Sequence, residues 1–304
     1  MQQSTIEPPD ITIKNSLLIL KKNNTDNSNV NVSNVNVSNV NVINVINILK
    51  KLLLEETSTT SYMLRALELN YIGTIPFNII KVNEMDTIDS YKIILPPVKP
   101  RLIMVFGPSA SGKTTSSNEM IKLFSTKYTD FPTCFMTLDG GKCRKASILY
   151  QMIIGYSLEY NVDITKYNIF PKVKQKLIQY YENQRSQYNT MISLYIPITL
   201  GKSYLQSYSK YIEMTNDYNW IGIFIWQHKF ECSYEGVEKC NGCVMSGMER
   251  EKIEGKKYKN YKWEESMEKG LIEVKKAPGG FYYVHNNGKK DRNYIITTEW
   301  NIFL

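Results

Sequence analysis

From Arg101 onwards, short unbroken apolar runs alternate with longer stretches in which apolar residues return every three or four positions. The runs Arg101–Phe106, Thr133–Leu138, Met191–Ile198 and Trp220–Trp226 predict strands. They scarcely alternate between apolar and polar, as expected when both faces of a sheet are covered. The stretches between them predict helices: Thr114–Tyr128, Lys145–Tyr160, Pro171 to about Tyr188, and Lys202–Asn216. Pro171 takes the first helical position, where proline is tolerated. Strands separated by helices of this length imply right-handed βαβ crossovers and a parallel sheet, so the expected fold is α/β. Ser246–Gly270 is charged and helical, with Ser246 and Glu249 as a capping box and Gly270 as a stop. Gly280–Val284 and Tyr294–Thr298 flank Asn286-Asn287-Gly288 and read as a hairpin-like ending.

Before Arg101 the pattern is weaker. Residues 1–22 carry one apolar patch, Ser16–Leu20. From Asn23 to Asn47 the chain is low in complexity, with NVNVS at Asn29–Ser33 and Asn34–Ser38 and NVNVI at Asn39–Ile43. The Asn/Val alternation has a strand period, but Asn disfavours strands and a five-residue unit swaps faces at every repeat. The expectation is a mostly disordered insert with some tendency to β-association. Ile48–Leu54 and Thr60–Leu69 read as short helices, and Tyr71–Ile80 and Tyr91–Leu95 as strands. PPVKP at Pro96–Pro100 reads as a stiff connector. The expected layout is an N-terminal extension over 1–60, a linking segment over 61–100 and a main domain over 101–304.

The first strand of that domain runs into Gly107, Pro108, Ser109, Ala110, Ser111, Gly112, Lys113, Thr114 and Thr115. Gly107, Gly112, Lys113 and Thr114 complete G-x-x-x-x-G-K-[ST], a phosphate-binding loop. Its glycines let main-chain N–H groups turn around phosphate oxygens, and a helix opening at Gly112–Lys113 adds a positive dipole end. Lys113 reaches the β- and γ-phosphates, and the Thr114 hydroxyl ligates Mg²⁺. The fold class sharpens to a three-layer P-loop NTPase or kinase core with a low-complexity N-terminal extension.

Composition changes this picture little. Lys and Arg number 37 against 29 Asp and Glu, a formal net charge of +8. That suits a polyanionic ligand, but the excess is mostly scattered lysine and speaks only weakly for nucleic acid. Five cysteines, three of them crowded together, argue against a secreted disulfide framework. The acidic start and the absence of a long apolar run point to a soluble cytoplasmic protein with no membrane partner.

Phosphate binding becomes phosphoryl transfer only with a carboxylate for the acceptor and a cation for the moving group. Asp139 ends the second strand, at the edge where open α/β sheets bind ligands. It is the candidate base or orienting carboxylate, with helix capping as the plainer role. Arg144 is the candidate grip on a substrate phosphate, or else a solubilising residue. Arg250, with Lys252, Lys256 and Lys257, lies in the charged segment after the fourth strand, placed for a lid or for a solvated helix face. No acidic residue ends the third or fourth strand, which speaks against a motor-type ATPase. His228-x₃-Cys232-x₇-Cys240-x₂-Cys243 has the composition of a closed Cys₃His site and would make a structural Zn²⁺ loop over 228–243; the alternative is reduced cysteines in a loop. His285, next to a turn, reads as a surface residue.

The order of parts resembles the zeta-toxin-like P-loop kinases, and more broadly small-molecule phosphotransferases of the chloramphenicol type. The residues are GPSASGKTT at Gly107–Thr115, TLDGGKCR at Thr137–Arg144, PITLG at Pro197–Gly201 and the arginine of SGMER at Ser246–Arg250. The resemblance implies ATP or GTP with Mg²⁺, with Asp139 as base, Arg144 on the substrate and Arg250 on the phosphates. It further implies a small hydroxyl-bearing acceptor such as a nucleotide-sugar. The alternatives are a nucleotide-binding NTPase or switch without acceptor, and a zinc-stapled nucleic-acid-binding protein or end kinase.

Overall fold

The computed structural model describes residues 9–26, 35–73, 78–94, 99–200, 211, 213, 218–234, 237–254, 262–288 and 294–300. Of residues 24–26, 35–40, 232–234, 237–240, 253 and 254 it describes the backbone alone. Two compact units share the chain: one holds residues 1–69, 140–176 and 254–256, the other 70–139, 177–253 and 257–304. The contacts therefore divide elsewhere than at 60 and 100.

The first unit is helical. It contains α1 (Pro9–Asp26), α2 (Val35–Glu56), α3 (Thr60–Asn70, all but its last residue), α5 (Gly140–Ala146) and α6 (Ile148–Glu159). Residues 35–47, expected to be disordered or strand-like, are part of α2. The reason lies in the second half of the repeat. Val42, Val45, Ile46, Leu49 and Leu53 recur at helical spacing, and the last four are buried with Ile13, Leu17 and Leu20 of α1 and Ile153 and Ile154 of α6. Packing on that stripe overrides the strand period of the Asn/Val units. Glu56 anchors α6, accepting from the Ser147 hydroxyl and from the Ile148 N–H at 2.7 Å, and pairing with Arg65 at 3.3 Å.

The second unit is an α/β sheet structure. It has β1 (Tyr71–Gly73), β2 (Asn78–Lys81), β3 (Tyr91–Ile94), β4 (Leu102–Phe106), α4 (Ser117–Lys127) and β5 (Cys134–Thr137). After the helical excursion come the rest of α7 (Val173–Tyr188), β6 (Leu194–Ile198), β7 (Ile221–Trp226), β8 (Cys232–Tyr234) and β9 (Val237–Cys240). α8 (Gly242–Glu254), α9 (Trp263–Val274), β10 (Phe281–Asn286) and β11 (Tyr294–Thr297) complete it. The seven-stranded sheet has the order β1-β5-β6-β4-β7-β10-β11. Its five inner strands are parallel and its edges, β1 and β11, antiparallel. From β4 the chain moves to β5 on one side, and from β6 to β7 on the other. The connections leaving the neighbours β4 and β6 thus run towards opposite edges of the sheet, the change of direction at which open α/β sheets take ligands.

Both faces of the sheet are covered. Ile103 and Val105 of β4 and Ile221, Ile223 and Ile225 of β7 pack with Met120, Ile121 and Phe124 of α4. Phe106 and Phe224 point to the opposite face, against α9. There Gly270 is no helix stop: it lies inside α9, where a Cβ would sit 2.6 Å from the Phe224 ring. Its missing side chain lets the helix press onto the strands. The helix expected over 246–270 is two helices, the first starting at Gly242. Of the helix expected over 202–216 only residues 211 and 213 are described, both helical, and residues 96–98 of the connector lie outside the described residues. No described helix is long and apolar enough to cross a membrane.

Candidate phosphate site at the sheet edge

Strand β4 is buried throughout and delivers the chain to Gly107 at the carboxyl edge of the sheet. Gly107 has φ +143°, and a Cβ there would lie 1.9 Å from the Ile225 carbonyl oxygen. Gly112 has φ +91°, and its Cβ would lie 2.2 Å from Asn286 Nδ2. Both glycines are thus required by conformation and by space. Ala110 adds a left-handed residue at φ +65°. The regular helix α4 starts at Ser117, later than the Thr114 expected; one helical turn precedes it, with Ser116 N–H donating to the Gly112 carbonyl at 2.8 Å.

The N–H groups of Ala110, Gly112, Lys113 and Thr114 meet no acceptor among the described residues. The fully buried Ser111 hydroxyl also lacks a hydrogen-bond partner among them. A buried hydroxyl without a partner is rare, and unpartnered N–H groups gathered beside it in one loop suit an anion. Pro108 is buried, Ser109 and Ala110 are half-buried, and Thr115 is exposed.

Lys113 is buried, and its ammonium donates to the carbonyls of Gly107, at 2.9 Å, and Pro108. Burial pushes its pKa down to about 7; nearby Arg250 acts the same way, while Cys243 and Asp139 oppose them. Arg250, on α8, is thus within electrostatic reach of Lys113, although its side chain is exposed.

Thr114 Oγ1 donates a 2.6 Å hydrogen bond to Asp139 Oδ2. Asp139 follows β5, which is separated from β4 by β6, so the carboxylate reaches the loop across the end of an intervening strand. Asn70 holds that strand end: its Oδ1 accepts from Thr137 Oγ1 at 2.7 Å and from Asp139 N–H at 3.1 Å.

Residues remote from the motif complete the loop. The Tyr195 hydroxyl donates to the Lys113 carbonyl at 2.8 Å, Tyr294 to Ser116 Oγ at 2.9 Å, and Asn286 Nδ2 to the Ser111 carbonyl at 3.0 Å. No sequence signal marks Asn70, Tyr195, Asn286 or Tyr294; Asn286 sits in an Asn-Asn-Gly stretch that reads as a turn.

Arg144 lies in the helical unit. Its Nη1 and Lys174 Cε lie 3.7 and 3.4 Å from where a Cβ on Gly140 would be, so two cations converge there. Lys256 and Lys257 lie outside the described residues, and Lys252 is exposed.

Of the proposed zinc ligands, His228 is half-buried and Cys243 fully buried, its thiol facing the Gln227 carbonyl at 3.7 Å. The side chains of Cys232 and Cys240 lie outside the described residues. His285 is not on the surface: it is 4% exposed, with its ring 4.5 Å from Trp226 and 5.4 Å from His228. Burial, with His228 beside it, pushes its pKa down to about 4. β10 runs parallel to β7 and stands His285 opposite Trp226, a pairing no local pattern announces.

No protein-family model matches the chain, and no curated protein matches it.

Proposed function

We propose that the chain is an ATP- or GTP-dependent phosphotransferase that moves a γ-phosphate to a hydroxyl of a small molecule. The observation that carries this reading is the Thr114–Asp139 hydrogen bond beside the loop. A threonine that gives its proton to a carboxylate keeps an oxygen lone pair for magnesium, the usual work of an outer-shell partner. The loop amides and Ser111 hydroxyl fit the phosphates, and Lys113 fits their charge. When bound, Mg²⁺ and the nucleotide supply the transferable phosphoryl group and screen its charge.

The chain's own residues do the rest in this reading. Lys113 takes up a proton as the phosphates arrive, because a polyanion favours the charged ammonium. Asp139 orients Thr114 and accepts the acceptor's hydroxyl proton. Arg250 adds positive charge from α8 as negative charge builds on the moving group. The zeta-toxin-like resemblance assigns Arg144 to the substrate, where a guanidinium would suit an anionic part of the acceptor. The acceptor class suggested by the zeta-toxin-like resemblance is a nucleotide-sugar.

Nucleotide turnover measured with and without hydroxyl acceptors tests this reading. Acceptor-dependent turnover supports the transferase, and equal turnover without acceptor makes the chain an NTPase or switch. Asp139→Asn is expected to bind nucleotide while losing transfer by about 10²–10⁴-fold. A Lys113→Ala protein that binds Mg·ATP and Mg·GTP as tightly as the native chain overturns the phosphate site.

A further inference from the structure

The Cys/His segment is not used by this chemistry, yet its backbone is organised. β8 and β9 form an antiparallel ribbon in which Cys232 and Cys240 are register partners. Opposed residues of such a ribbon stand about 4.5–5.5 Å apart between Cα atoms. Beyond the ribbon the same two arms stay joined. Cys243 N–H donates to the His228 carbonyl at 2.7 Å, and Val244 N–H to that of Lys229 at 3.0 Å. The pairing therefore sets His228 opposite Cys243 and Cys232 opposite Cys240, one pair from each end of the motif.

The turn between the last two cysteines is built for a sharp reversal. Gly242 has φ +74°, and a Cβ there would lie 2.4 Å from the Phe230 carbonyl carbon. Any other residue would push the Cys240–Cys243 arm off the His228–Cys232 arm. Asn241 pins the turn from outside, its N–H donating to the Asn287 carbonyl at 3.1 Å. Cys243 then lies in the first turn of α8, a 13-residue helix, within electrostatic reach of Lys113.

We propose that His228, Cys232, Cys240 and Cys243 form a structural zinc site that staples the β8–β9 ribbon to the start of α8. Cys232 and Cys240 enter by backbone placement alone. A disulfide between these two would account for two of the four residues; tetrahedral zinc accounts for all four, with the short C-x₂-C spacing. Binding releases the three thiol protons to solvent and leaves a site of net charge −1 (+2 from zinc, −3 from thiolates). With four protein ligands it has no open position, so it holds structure and takes no part in transfer. Its consequence is mechanical: it fixes the first turn of the helix that carries Arg250.

Metal analysis of the purified full chain, made without nucleotide, tests this independently of the phosphate site. About one equivalent of zinc is expected, lost in Cys232→Ser and Cys240→Ser and kept in Cys134→Ala. Zinc-free protein with all thiols titratable overturns the proposal. So does unreduced protein lacking two thiols, which would mark a Cys232–Cys240 disulfide. Where the serine variants fail to fold, cobalt(II) in the native chain decides. Tetrahedral bands with thiolate charge transfer support the site; an octahedral spectrum without thiolate overturns it.

Discussion

Asn286 donates its side-chain amide to the Ser111 carbonyl at 3.0 Å, across 175 residues of sequence. The residue at the end of β10 thereby closes the wall of the loop that follows β4. The same amide occupies the space that a side chain at Gly112 would need. Asn286→Ala leaves the Ser111 carbonyl buried without its donor, at a cost of about 1–3 kcal/mol. Lower thermal stability and weaker nucleotide binding are expected together. Unchanged values in both melting and calorimetry would remove Asn286 from the loop's support.

The two loop glycines are expected to differ in how they fail. Gly107→Ala drives a methyl into the Ile225 carbonyl, which belongs to a central strand and cannot step aside. Gly112→Ala meets a side chain, so part of its clash can be relieved. Asn286→Gly added to Gly112→Ala should recover some stability in urea unfolding, leaving the double variant less destabilised than the sum of the two single changes. No combination with Asn286→Gly should rescue Gly107→Ala. Simple additivity at Gly112 would mean that positive φ, and not the clash, sets its cost.

Lys113 makes stability depend on pH. Burial brings its pKa to about 7 against the ordinary 10.5, so between those values the unfolded chain binds more protons. Its contribution to stability therefore grows as pH rises from about 7 towards 10.5 and is lost as pH falls back. Lys113→Met should flatten that rise. Triphosphate binding near pH 8 should take up a proton, seen as a dependence of calorimetric heat on buffer ionisation enthalpy. Buffer-independent heats would place the ammonium as already charged.

Two helical glycines predict opposite outcomes. At Gly155 of α6 a Cβ meets nothing within 4 Å, so Gly155→Ala should stabilise by about 0.5–1 kcal/mol. At Gly270 the same change gains the same helix propensity but forces the Phe224 ring aside, and a net loss of about 1–3 kcal/mol is expected. Denaturant melts of both variants check the sign. A stabilising Gly270→Ala would mean that α9 lifts off the sheet at little cost.

Local patterns of the sequence determined the central strands, the glycine-bracketed loop, the acidic residue after β5 and the closing β10–β11 pair. These rest on interactions within a few residues: unbroken apolar runs, positive φ at glycine, and helix-length spacing between strands. Only the tertiary structure decided the rest. α2 is helical because α1 and α6 bury its Val and Ile stripe, against the strand period of the repeat. Gly270 is a point of close approach because Phe224 lies under it, and His285 is buried because β10 runs beside β7. Asn70, Tyr195, Asn286 and Tyr294 support the site through partners in other elements, between 67 and 178 residues away. Side-chain period carries information about one face of one element. Which element covers that face, and which distant amide fills a loop, is settled when the strands take their order in the sheet.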